Sequence, residues 1–249
     1  VDSEGNVLPD AYNPQTGEIM GDIEWNELVT DLKKTEQLKS ISLYFQLMND
    51  RPEEFANTGL INIEKNIDKF MVAAQVLNKP VGVVYESKYH LMVVDICIGK
   101  NGYYTYERII PKIQGIAVAV LAEWSGRFFL LKQYRHALRD WQYAIPRGFA
   151  KDGLSGKDNA VKNVIEKTGC TVSNITYLGT TVADSGLSGT KVAVYHAKCS
   201  EPDFKYGTGN AAQLVSVKPE ELKKMIHDGK VTDGFTMTAL MMYLAKKTN

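Results

Sequence analysis

The periodicity of this chain changes at Pro80, and that change constrains the fold more than any other feature of the sequence. Before it, apolar residues recur at helical spacing: Trp25, Leu28, Leu32 and Leu38 in IEWNELVTDLKKTEQL, and Ile63, Ile67, Phe70, Met71 and Ala74 in NIEKNIDKFMVAAQVLNK. Such stripes mark one face of a helix, facing either a core or a partner. With SISLYFQLMND between them, three helices are predicted from Ile23 to about Asn78. After Pro80 the period becomes two. VGVVYESK, HLMVVDICIG and GYYTYERII read as strands, with KNG as the hairpin turn between the last two, and IAVAVLAEW and RFFLLKQYR follow across a short SGR turn. Further on, the segment KDNAVKNVIEKT reads as a helix stopped by Gly169, and NITYLGTTV and KVAVYHAKC as strands flanking the loop ADSGLSG. A strand from Gln213 to Val217 precedes two short helices, PEELKKMIH and TMTALMMYLAKK. The class is therefore α/β (α+β): a mixed sheet layered with helices. Residues 1–22, rich in Gly, Pro, Asn and Asp, are expected to be a flexible lead-in, and the expected division is 1–79 against 80–249.

Composition narrows the function classes. The 249 residues carry 29 Lys+Arg and 29 Asp+Glu, so whole-protein attraction to nucleic acid or an anionic membrane is not expected, although a local basic pocket remains open. No basic run marks the N-terminal helices as a DNA-binding helix-turn-helix. Cys97, Cys170 and Cys199 are odd in number, widely spaced and without a CxxC pair, which predicts free thiols in a reducing, cytoplasmic setting. His90, His136, His196 and His227 show no zinc-ligand spacing. The opening residues VDSEGNVLPD are unlike a signal peptide, and no apolar run reaches the roughly 18 residues of a membrane span.

The stretch from Gly148 to Cys170 carries the chemistry. Its spacing matches, without a gap, the box of the Nudix hydrolase superfamily: Gly, five residues, Glu, seven residues, then Arg-Glu-apolar-x-Glu-Glu-x-Gly-apolar. The segments FFLLKQYRHALRDWQYAIPRG, ADSGLSG and TDGFTMTAL resemble the ADP-ribose pyrophosphatase branch, so the resemblance covers roughly Tyr85 to Lys247. It implies a Nudix α/β/α sandwich with a mixed sheet and a helical N-terminal extension. It also implies a homodimer using the strands of residues 80–114, whose near-continuous apolar character suits burial on both faces. In that family glutamates at i, i+3 and i+4 on one helix face hold Mg²⁺, which neutralises a diphosphate and activates water.

This chain departs from that pattern. The helix positions are Asn163, Glu166 and Lys167; Lys162 stands for the Arg, Leu154 for the earlier Glu, and only Glu166 survives. In the later loop Ala211, Ala212 and Gln213 sit where further acids are expected. Two ammonium groups beside one carboxylate repel a divalent ion, so the box reads as degenerate. Asp152 and Asp158 read as loop and helix-opening residues, and Asp184 as either a turn residue or a ligand contact.

Three functions stay open. The first is recognition of an ADP-ribose-like nucleoside diphosphate derivative without metal, with Arg135, Arg147, Lys162, Lys167 and Asp184 as ligand contacts; the two lysines equally read as solvated surface charges. The second is an active pyrophosphohydrolase of ADP-ribose or a nucleotide sugar, with Glu166 holding Mg²⁺. The third is a structural interaction module.

Overall fold

The computed structural model describes residues 22–203 and 212–247; the expected lead-in and the segment 204–211, including Ala211, lie outside the described residues. The chain divides into two compact units, 1–109 and 110–249, so the expected boundary at residue 79 falls inside the first.

In the first unit, α1 (Asp22–Asp50) is one helix where two were expected. No Gly or Pro interrupts it, and Ser40, read as the start of a second helix, has another task. Its hydroxyl donates to the Val81 carbonyl at 2.7 Å, as does the Gln37 amide at 3.0 Å. A short 3-10 turn (Pro52–Phe55) and strand β1 (Asn62–Ile63) follow. Next comes α2 (Ile67–Leu77), whose N-cap Asn66 side chain accepts the Lys69 N–H. Strands β2 (Gly82–Glu86), β3 (His90–Gly99) and β4 (Gly102–Pro111) complete a four-stranded sheet in which β3 pairs with β1, β2 and β4. Helix α1 packs so closely on β2 that a Cβ on Gly82 would stand 2.6 Å from the Ser40 carbonyl oxygen. Tyr44, Phe55 and Phe70 form an aromatic cluster, with centroids 5.3 and 5.0 Å from Tyr44. One ion pair is taken into this core. Asp95 accepts Arg108 Nε at 2.6 Å and the Tyr44 hydroxyl at 2.7 Å, and the guanidinium lies 4.6 Å from the Phe55 ring centre.

The second unit is an α/β/α sandwich on a mixed sheet, the architecture expected from the sequence. Its strands are β5 (Ala117–Trp124), β6 (Arg127–Arg135), β7 (Asp140–Ala144), β8 (Arg147–Gly148), β9 (Val172–Val182), β10 (Lys191–Cys199) and β11 (Ala212–Val217). The order is β11-β6-β5-β10-β9, with β10 parallel to β5. Alternation along β5 shows how the layers form. Ala117, Ala119 and Leu121 pack with Leu222, Leu240 and Tyr243, on α4 (Pro219–His227) and α5 (Gly234–Lys247). Val118, Val120 and Ala122 pack on the opposite face with Ala160 and Val164 of α3 (Gly156–Thr168). Strands β5 and β6 pair only at the hairpin end, and β8 then takes the place beside β5 while β7 pairs with β6. Cys97, Cys170 and Cys199 are free and buried. Among the described residues no helix is long and apolar enough to cross a membrane.

Candidate functional site

Helix α3 is fixed at both ends by its own sequence. The N-cap Ser155 hydroxyl accepts the Asp158 N–H at 3.1 Å and donates to the Asp158 carboxylate at 2.6 Å, which gives Asp158 its helix-opening role. Gly169 ends the helix at φ 68°, a left-handed turn that costs glycine nothing, and its N–H reaches the Ile165 carbonyl.

The inner face of α3 carries two buried asparagines. Asn159 donates from Nδ2 to the carbonyls of Ile116 and Phe149, both at 3.0 Å, tying the helix to the entry of β5 and to the loop after β8. Asn163 donates to the Asn159 backbone and side-chain oxygens, both at 2.9 Å. Asn163 is also why position 148 is glycine: a Cβ there would lie 2.6 Å from Asn163 Cγ, and closer still to the amide oxygen and nitrogen. The residue at the first of the three helix acid positions is therefore a packing and stitching group, 3% exposed.

The outer face carries Lys162 and Glu166, both exposed. Both Glu166 oxygens accept from Lys151 Nζ, at 2.8 and 3.1 Å, and this bond holds the carboxyl below its ordinary range. Lys167 is half-buried. Burial first, and then repulsion from Arg135, Lys151 and Arg147, pushes its ammonium below its usual pKa, against the attraction of Glu166. For Mg²⁺ these residues do not form a fitting donor set. Asn163 is buried and spent on Asn159, Glu166 is taken by an ammonium, and Lys167 is itself a cation. Among the described residues no group of three or more His, Cys, Asp or Glu is placed to hold a metal ion.

A cleft of about 410 Å³ lies at the start of α5, and no residue of α3 lines it. Two strand ends supply its cations: Arg135 closes β6 opposite Asp140, and Arg147 lies in β8 opposite Ala119. Arg147 forms an ion pair with Asp233 at 3.2 Å and sits 5.1 Å from the Phe235 ring centre. Asp233, 3% exposed, precedes α5 and caps it, accepting the Thr236 N–H at 3.0 Å and hydroxyl at 2.7 Å; Thr236 in turn accepts the Ile145 N–H. Among the described residues Arg135 forms no such ion pair, although Asp233 favours its charged form from a distance. The Arg135 Nε is buried without a hydrogen-bond partner, and burial and the field of Arg147 both weaken its hold on its proton. Leu138, Gln142, Thr232 and Phe235 complete the walls.

Of the expected contacts, Arg135 and Arg147 meet in the cleft, and Lys167 lies within their field. Lys162 and Glu166 are outside its lining. Asp184 is exposed and serves a turn: its carboxylate accepts the Gly186 N–H at 3.0 Å and its carbonyl the Ser188 N–H at 2.9 Å, while the preceding Val182 and Ala183 line the cleft. Asp152 is an exposed loop residue. Sequence reasoning missed Asp233, although Asp-Gly-Phe-Thr has the local form of a helix cap, and Lys151, whose partner lies 15 residues away.

No protein-family model matches the chain, and no curated protein matches it. Solved structures do. A crystal structure of an ADP compounds hydrolase superposes with a TM-score of 0.58 at 16% identity, covering 66% of this chain and 89% of that one. At that identity the likeness is one of fold, and it agrees with the α/β sandwich on a mixed sheet.

Proposed function

We propose that the second unit binds a nucleoside diphosphate derivative of the ADP-ribose type, without a metal, and hydrolyses it weakly or not at all. The carrying observation is Arg135: a half-buried guanidinium with an orphaned Nε and, among the described residues, no ion pair, next to Arg147 in a cleft. A buried donor left unmade is costly, and an anionic oxygen is the partner that relieves it. Arg135 and Arg147 then clamp a phosphate, and Lys167 adds charge from behind. Lys151 joins them when a phosphate draws it from Glu166, since an exposed ion pair of this kind is worth at most about 1 kcal/mol. Thr232 and Gln142 offer hydrogen bonds to sugar hydroxyls. What weighs against turnover is the supply of bases. Among the described residues lining the cleft, Asp233 is the sole carboxylate, and Arg147 and Thr236 already occupy it. The ADP compounds hydrolase of like fold supports the ligand class by analogy.

The test is calorimetric titration of ADP-ribose with and without Mg²⁺, with the same samples assayed for AMP and ribose 5-phosphate. Binding without metal and without products is expected. Products that form only with metal would establish the hydrolase instead, and absence of both heat and products would leave the structural module. The homodimer belongs to the same proposal. Strand β4 exposes Tyr103, Tyr104 and Tyr106 and, among the described strands, pairs with β3 alone. Sedimentation velocity that finds only monomer would remove it.

A further inference from the structure

We propose that the groove between α1 and α2 in the first unit receives an acidic amphipathic helix of a partner protein. The groove has a volume of about 670 Å³ and no part in the ligand cleft. Its floor is apolar: Ile41 and Ala74 are buried, Met71 is half-buried, and Leu38 on the α1 wall is 46% exposed. Its rim is basic. Lys33 and Lys34 stand on α1 and Lys79 just past the end of α2, against one acid, Glu36. Among the described residues none of these three ammonium groups forms an ion pair, so the rim presents uncompensated positive charge around apolar surface. That combination is complementary to apolar anchors flanked by carboxylates.

Backbone chemistry selects a helix over an extended peptide. Both walls are helices, whose interior N–H and C=O groups are bonded within themselves, so the groove offers no ladder for a strand. The one strand-entry carbonyl at its edge, that of Val81, already accepts from Gln37 and Ser40. An occupant must therefore satisfy its own backbone. From Lys33 to Ile41 the α1 wall runs about 12 Å, two turns of an occupant helix, which is the span of anchors at i, i+3 or i+4, and i+7.

The test is fluorescence anisotropy of the whole chain with a labelled designed helix that bears leucines at those anchor positions and glutamates on both flanks. The control is the same helix with every glutamate replaced by lysine. The acidic helix is expected to bind at least about tenfold tighter than the basic one at about 50 mM salt, and to lose affinity at about 300 mM. Lys33→Glu/Lys34→Glu, at two exposed positions, should reverse the preference. Met71→Arg should fill the floor and abolish binding; because it alters a half-buried site and can also unfold the unit, the lysine pair is the deciding variant. The proposal is overturned by equal affinity for the two helices, by indifference to the lysine pair, or by no acidic-helix binding up to about 1 mM. It is also overturned by binding that emerges only once residues 1–21 are removed, which would make the occupant this chain's own segment. Self-association that the lysine pair abolishes would make it a second copy, and would equally overturn a partner protein.

Discussion

Gly148→Ala should damage the second unit through one side chain, Asn163. Gly148 does not have the positive φ that excludes alanine, so the backbone tolerates the change and the cost is steric. The new methyl carbon would sit 2.6 Å from Asn163 Cγ, far inside contact distance. Asn163 has no room to retreat, being 3% exposed and bonded to both oxygens of Asn159. Overpacking of this kind costs about 1–3 kcal/mol, and loss of the two amide bonds adds about 0.5–1.5 kcal/mol each. A total of about 2–6 kcal/mol is expected. Asn163→Ala alone should cost about 1–3 kcal/mol, because Asn159 Oδ1 then loses its donor. The double variant separates the two causes: once the amide is gone the methyl group fills its space, so Gly148→Ala/Asn163→Ala should cost no more than Asn163→Ala. The assay is urea unfolding followed by the fluorescence of Trp124 and Trp141 in a Trp25→Phe background, reading midpoints at constant slope. Additive single costs, or a Gly148→Ala cost below about 0.5 kcal/mol, would refute the reasoning and reopen Asn163 as a mobile site residue.

Arg135→Ala should weaken ADP-ribose binding by about ten- to a hundredfold, the worth of a charged hydrogen bond, without lowering stability, since its buried Nε is unpaired; calorimetry and thermal unfolding read the two effects. In the first unit, Asp95→Asn should cost about 3–5 kcal/mol by stranding Arg108, whereas Tyr44→Phe should cost only about 1–2 kcal/mol; unfolding midpoints should rank them in that order. The third prediction concerns pH. Burial lowers the His196 pKa from its ordinary 6.5, against the opposing bond to Glu123. The unfolded chain therefore takes up the proton first, so this group's contribution is complete above pH 6.5 and is lost as pH falls from there towards the folded value. His196→Gln should flatten the stability profile on the acid side of pH 6.5; an unchanged slope would place the titration elsewhere.

What was legible in the sequence was what local chemistry decides. Gly169 was legible as the stop of α3 because a C-cap needs only the residues beside it, whereas the N-cap is Ser155, with Asp158, read as the opening residue, in the first turn. Period two located the longer strands of both units, but β1, β7 and β8 were missed: Asn62–Ile63 lay inside a stretch read as helix, and the five- and two-residue pieces filling the gap where β5 and β6 part carry too little alternation to be read. Ser40 misled for a related reason. A serine in a helical pattern has the chemistry of an N-cap, and only the approach of Val81 assigns its hydroxyl elsewhere. The site shows the same limit in its charges. The loss of three box acids was visible residue by residue, yet the fate of the survivor was not, because Glu166 meets Lys151 only once the loop folds back on the helix. Likewise, Arg135 and Arg147 stand close along the chain, but nothing in their neighbourhood signals that Asp233 would pair with one and leave the other, among the described residues, without an ion pair. That asymmetry arises from the α5 cap reaching β8, and it is the observation on which the proposed anion site rests.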